Sequence, residues 1–239
     1  YWCPFLSCFE QHLKEKGWLG HVAIAMDERS PEDMRKISAF IREQAPGLKI
    51  TLAGNRKPSE FKGVEIDSYS QQLRNSRYVP ASFLDEVAKR RAEGRITTVY
   101  TCCSPFRPNC LPMNPLHEQR WIGLFLAAKG FDGYLKSTFF RWVKSTDPLT
   151  DTHCYPSLPC GDSYLVYPGP RLSLRWESMV DGFEDWEKIR ILRETDAAVR
   201  AQGLLPTALG EVKQKLARIE ADMDATTDKI EKQFAELKR

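Results

Sequence analysis

Hydrophobic positions along this chain switch repeatedly between helical and strand periods. Residues 5–16 carry apolar residues at helical spacing and stop at Gly17. Residues 21–26, His-Val-Ala-Ile-Ala-Met, are an apolar run of strand length, and Asp27-Glu28 closes it. Ser30-Pro31-Glu32-Asp33 opens a helix over 31–45, with Met34, Ile37, Phe40 and Ile41 on one face and Pro46-Gly47 past its end. Leu48 to Ala53 reads as a second strand ended by Gly54-Asn55, and Val64 to Tyr69 as a weaker third. Ser82 to Glu93 is a helix stopped by Gly94. The β-branched run Ile96 to Cys102 is a strand, 114–129 a helix ended by Gly130, and Asp132 to Leu135 begins another strand.

This alternation predicts a parallel α/β architecture. About five strand–helix units are present where a complete barrel has eight. The chain therefore reads as the C-terminal portion of a (β/α)8 TIM-like barrel over residues 1–205, which a missing N-terminal part of the same protein is expected to complete. An open, doubly wound sheet is the alternative, although no glycine-rich phosphate loop follows any strand. Residues 143–170 are rich in Pro, Gly, Asp and Ser and are long for a loop without structure, as functional loops often are. Two long helical stretches follow, 173–202 and 206–238. Leu209, Val212, Leu216, Ile219 and Met223 give the second an apolar face, so 206–239 is read as a helix packed on the barrel. A partner-binding coiled coil is the other reading, but the repeat lapses at Thr226-Thr227.

Composition narrows the classes. The 239 residues are 42% hydrophobic, enough for a substantial core. The net charge of +3 is spread along the chain without a basic stripe, which argues against a nucleic-acid partner. No apolar stretch has the length of a transmembrane segment. Cysteines 3, 8, 102, 103, 110, 154 and 160 form no CxxC pair and no zinc-type cluster with histidine, so neither a metal nor another cofactor is expected. Their odd number leaves at least one unpaired within the chain, and buried thiols are the default reading.

Asp27-Glu28 is the candidate chemistry. At the carboxyl end of a barrel strand, two carboxylates suit acid/base work on a glycosidic bond. The plainer reading is a helix start, since acidic residues favour the first turn and Ser30 is a natural cap.

Further motifs bear on that choice. Gly161-Asp162-Ser163-Tyr164, Tyr167-Pro168-Gly169, Arg175-Trp176-Glu177 and Gly182-Phe183-Glu184-Asp185-Trp186-Glu187 occur in this order. Upstream lie Ala25-Met26-Asp27-Glu28-Arg29, Lys49 to Asn55, Tyr100-Thr101-Cys102-Cys103, Pro108-Asn109 and Gly133-Tyr134-Leu135. This ordered set, over nearly the whole chain, resembles glycoside hydrolase family 123.

The resemblance implies a barrel N-acetyl-β-galactosaminidase, acting on glycans or glycolipids with terminal GalNAc, by retaining, substrate-assisted chemistry. It implies Glu28 as general acid/base and Asp27 as the group holding the substrate acetamido N–H. Asp27 is then expected to stay ionised, while burial and its neighbour's charge favour protonated Glu28. Tyr69 and Tyr100 are candidates to bond the acetamido oxygen, or else core tyrosines. Trp142 is a candidate stacking surface or a core aromatic, and Asn109 a sugar ligand or a turn residue. Asp162 and Tyr164 either line the site or form scaffolding. Arg175 and Glu177 read as a helix-start ion pair. The family also points to a secreted, periplasmic or cell-envelope location. Two places depart from its pattern: Ser137 stands where a tryptophan is usual, and Leu158-Pro159-Cys160-Gly161 replaces a Trp-Pro-Ala-Gly run. The first admits a β-hexosaminidase of other sugar specificity. A carbohydrate-binding barrel without turnover is a further alternative.

Overall fold

The computed structural model describes residues 1–73, 79–103, 107–142, 147–151, 153–154, 158–169 and 171–201, and single positions between 214 and 232. They form two compact units. The first comprises residues 1–72, 80–100 and 132–135, and the second holds 101–131 and the chain from 136 onward, with 73–79.

The first unit is a five-stranded parallel sheet: β1 (Ala23–Asp27), β2 (Lys49–Gly54), β3 (Ser68–Gln72), β4 (Ile96–Tyr100) and β5 (Gly133–Tyr134). Its spatial order is its chain order. A doubly wound sheet reverses order at a switch point. Here there is none, so the winding is that of a barrel wall and the doubly wound alternative falls. Helices α1 (Trp2–Glu15), α2 (Pro31–Gln44) and α3 (Ala81–Ala92) accompany the sheet. Leu6, Leu13, Met34 and Ile41 pack with Ile50, Leu52, Phe61, Ile66 and Tyr69 in one buried cluster.

Local chemistry sets the element ends. Ser30 caps α2, with its hydroxyl oxygen accepting from the Asp33 amide at 3.1 Å. The hydroxyl donates back to the Asp33 carboxylate at 2.8 Å, so the short Asp closes the cap on the side chain and not on the backbone. The third strand starts at Ser68, four residues later than its hydrophobicity predicts. Asp67 is the cause: its carboxylate accepts the Ile50 amide at 2.7 Å, occupying the donor that an earlier strand residue would need. Ile66 turns into the core instead. Asp132 repeats the device ahead of β5, taking the Thr97 amide at 2.7 Å and pairing with Arg91 at 2.6 Å. No α-helix links β2 to β3; a short 3-10 turn at Pro58–Glu60 stands there. The strand expected to reach Cys102 stops at Tyr100, and α1 begins at Trp2, leaving Trp2 and Phe5 exposed.

In the second unit, α4 (His117–Lys129) packs against α5 (Leu174–Ala201). Gly123 and Gly182 meet at the crossing, where a Cβ on either would run into the other helix's backbone. Arg120 and Asp185 clamp the pair at 2.7 Å. Two small antiparallel pairings lie in and just past the irregular segment, His153–Cys154 with Leu158–Pro159 and Val166–Tyr167 with Arg171–Leu172. Arg175 reaches the Tyr167 hydroxyl at 3.3 Å, a different partner from the Glu177 expected. Cys110 and Cys160 are buried, but Cys3, Cys8 and Cys103 are exposed, contrary to the buried reading. The helix read over 206–238 falls largely outside the described residues.

Candidate active site

Strand register decides which side chains share a face. Asp27 lies beside Ala53, Ala53 beside Ser70, and Ser70 beside Thr98. Side chains alternate along a strand, so Ala25, Thr51, Ser68, Gln72 and Tyr100 belong to the same face. This face is largely small and polar. The opposite face carries Ile24, Met26, Ile50, Leu52 and Tyr69 into the helix-covered core.

Asp27 is therefore the last residue of β1 and points to the polar face, exposed. Glu28 would turn to the other face if the strand continued. Instead it adopts φ +45°, the left-handed region that a glutamate rarely occupies. Its amide still bonds the Ala53 carbonyl at 2.7 Å, so the ladder holds while the side chain swings back. The Tyr100 hydroxyl donates to Glu28 Oε1 at 3.0 Å. Both carboxylates thus serve one face of the sheet.

The contact also reports curvature. Two strands separate β1 from β4, which places them about 14 Å apart in a flat sheet. Side chains standing perpendicular to such a sheet would not meet. Their hydrogen bond requires the wall to curl toward its polar face. Glu28 is exposed, and not buried as expected.

The two tyrosines separate. Tyr69 is fully buried on the core face and gives its hydroxyl to the Arg56 carbonyl, with Gly54 making room for it. Burial pushes its phenol well above the ordinary tyrosine range. Tyr69 is on the wrong face to meet Asp27 and Glu28, whereas Tyr100 joins them. Ser68, Ser70 and Gln72 on the polar face escape the sequence reading, which starts the third strand too early. The run Ser-Tyr-Ser-Gln-Gln is the signal that could have found them. The Ser70 hydroxyl is buried without a hydrogen-bond partner among the described residues.

The remaining candidates lie in the second unit. Asn109 is fully buried; its amide donates to the Cys102 carbonyl at 2.8 Å and its Oδ1 accepts from the Cys110 amide at 2.7 Å. These bonds build its turn. Tyr164 is buried and donates to the Asp151 carbonyl at 2.8 Å. Asp162 pairs with Lys136 at 3.1 Å, both buried. Cys103 also reaches Asp162, at 3.4 Å, and desolvation with that carboxylate raises its thiol. Trp142 is 38% exposed, anchored through its indole N–H to the Val166 carbonyl at 2.9 Å. Phe140, missed in the sequence, lies 6.1 Å from it, so the two form an exposed aromatic pair. Ser137 is exposed. Among the described residues, no group of three or more His, Cys, Asp or Glu could hold a metal ion, and no helix is long and apolar enough to cross a membrane.

A curved parallel β/α wall with acidic groups at the carboxyl end of a strand is the frame of a barrel hydrolase site. The family model described as glycoside hydrolase 123, catalytic domain, matches residues 1–192, and the chain belongs to that family. Among solved structures, it is similar to a family 123 glycoside hydrolase from Clostridium perfringens, a structure reported for glycolipid glycan hydrolysis. The likeness has a TM-score of 0.71 at 24% identity, over 84% of this chain and 36% of the other. The chain thus spans little more than a third of that relative, and the likeness is one of fold. A GH39 β-xylosidase from Caulobacter crescentus aligns with a TM-score of 0.44 at 13% identity, over 74% of this chain and 46% of that one, and nothing rests on it. A search of curated proteins finds no match.

Proposed function

We propose that the chain carries the acid/base centre of a retaining exo-glycosidase that removes terminal β-linked N-acetylgalactosamine from glycans or glycolipids. The observation that carries this reading is the left-handed backbone at Glu28, which turns two consecutive carboxylates onto one open face. A double-displacement enzyme sets its nucleophile and acid on opposite sides of the bond, about 5 Å apart, normally from different strands. Neighbours in sequence suit a reaction whose nucleophile belongs to the substrate.

In that reaction the acetamido carbonyl oxygen attacks the anomeric carbon as the bond to the leaving oxygen breaks. Glu28 gives its proton to the leaving oxygen. Asp27 accepts a hydrogen bond from the acetamido N–H and offsets the positive charge of the oxazolinium. Water then attacks the anomeric carbon, losing its proton to Glu28, and the ring opens with configuration retained. The C. perfringens relative's glycolipid glycan hydrolysis fits such a substrate.

The aryl β-glycoside of N-acetylgalactosamine should be cleaved, and a galactosamine-thiazoline mimic of the oxazoline should inhibit competitively. The matching β-galactoside, which lacks the acetamido group, should be inert. Equal turnover of both glycosides would remove the substrate-assisted mechanism. We further propose that additional strands from the same protein pair with the outer edge of β1, the edge strand beside β2.

A further inference from the structure

By resemblance Tyr100 is a candidate ligand of the acetamido oxygen, but its hydroxyl is aimed elsewhere. It donates to Glu28 Oε1 at 3.0 Å. Tyr100 is 6% exposed at the end of β4, so its ring is held by packing. Glu28 lies just past the end of β1, is exposed, and sits in a backbone conformation that its own residue type disfavours. A carboxyl group in that state has no wall of its own to select a rotamer. Resting on the acid/base role proposed for Glu28, we infer that Tyr100 is a positioning residue: it fixes the orientation of the Glu28 carboxyl so that one oxygen faces the leaving group.

The geometry divides the labour between the oxygens. Oε1 accepts the phenol, which leaves Oε2 as the oxygen that carries the transferable proton. A fixed rotamer also spares the entropy of ordering a glutamate at the moment of transfer. Tyr69, by contrast, cannot stand in, because it lies on the opposite face and its hydroxyl is committed to the Arg56 carbonyl.

The test separates proton delivery from sugar binding. An activated dinitrophenyl leaving group departs without a proton, whereas a methoxyphenyl group needs one. For the enzyme with Tyr100→Phe, kcat/KM on the methoxyphenyl β-glycoside of N-acetylgalactosamine should fall roughly tenfold to a hundredfold, the range expected when a hydrogen bond to a charged group is lost. On the dinitrophenyl glycoside the loss should stay within about twofold. Binding of the thiazoline mimic should stay within about twofold too, which also shows that the variant is folded. Equal losses on both glycosides, weaker thiazoline binding in proportion, or no loss on either would overturn the inference. Glu28→Gln is the control. If it leaves both glycosides unaffected, the acid/base assignment itself fails; if it shows the leaving-group pattern and Tyr100→Phe does not, only the positioning role fails.

Discussion

Glu28 shows why the candidate site was only half legible in the sequence. The position of Asp27-Glu28 at a strand end follows from five apolar residues, Val22 to Met26, and a capping serine. The φ of +45° does not, because glutamate has no propensity for it. Nor does Tyr100's contact, since it joins residues 72 positions apart through the curl of a sheet. The strain makes a direct prediction. In ordinary backbone, glycine is less stable than alanine. At position 28 the order should invert, with Glu28→Gly about 1 kcal/mol more stable than Glu28→Ala in urea unfolding, because only glycine occupies the left-handed region freely. Equal stability, or alanine ahead, would show that the conformation is not strained.

At the scale of elements, most boundaries were legible wherever one residue sets them. Ser30 starts α2, and Gly130, in the left-handed conformation, stops α4. The third strand was misplaced because Asp67 acts through a side-chain bond to β2, and a hydrophobicity pattern carries no trace of such a bond. The crossing of α4 and α5 explains a motif that sequence alone left unexplained: Gly182, in the Gly-x-x-Asp-x-Glu run, gives Gly123 room to approach. Glycine-to-alanine changes inside exposed helices stabilise by up to about 1 kcal/mol. Gly182→Ala should instead lower stability by about 3 kcal/mol or more, seen as a drop in Tm, since the clash is with backbone. Asp185 of the same motif adds a pH signature. The hydrogen bond from Arg120 holds its carboxyl below the usual range. A lowered folded value means stability that is present above the unfolded value of about 4 and is lost as pH falls through the folded one. Arg120 is half exposed, so solvent screening keeps the contribution small. The stability gap between wild type and Asp185→Asn should be constant near neutral pH and close in acid. A gap that persists below both values would assign the effect to packing.

For the whole molecule, the parallel α/β class and the family were legible because they rest on repetition and on the order of many motifs. The division into two units was not, since it depends on which parts of the chain return to the sheet. Residues 132–135 rejoin the first unit after the excursion through α4, and nothing in their composition marks the return. β1 leaves one edge of the sheet without a strand partner among the described residues. Such edges invite pairing with other chains. Expressed alone, the 239-residue chain is therefore expected to self-associate in sedimentation runs as its concentration rises. A concentration-independent monomer with a cooperative melt would show that the edge is adequately protected.

In the reaction proposed for this chain, consecutive carboxylates divide the chemistry, with Glu28 moving the proton. Its most direct test is the kcat/KM of Glu28→Gln on an unactivated aryl β-glycoside of N-acetylgalactosamine. A fall of about a thousandfold or more is expected, because general acid catalysis contributes up to roughly 10⁴-fold. Turnover equal to wild type would contradict it.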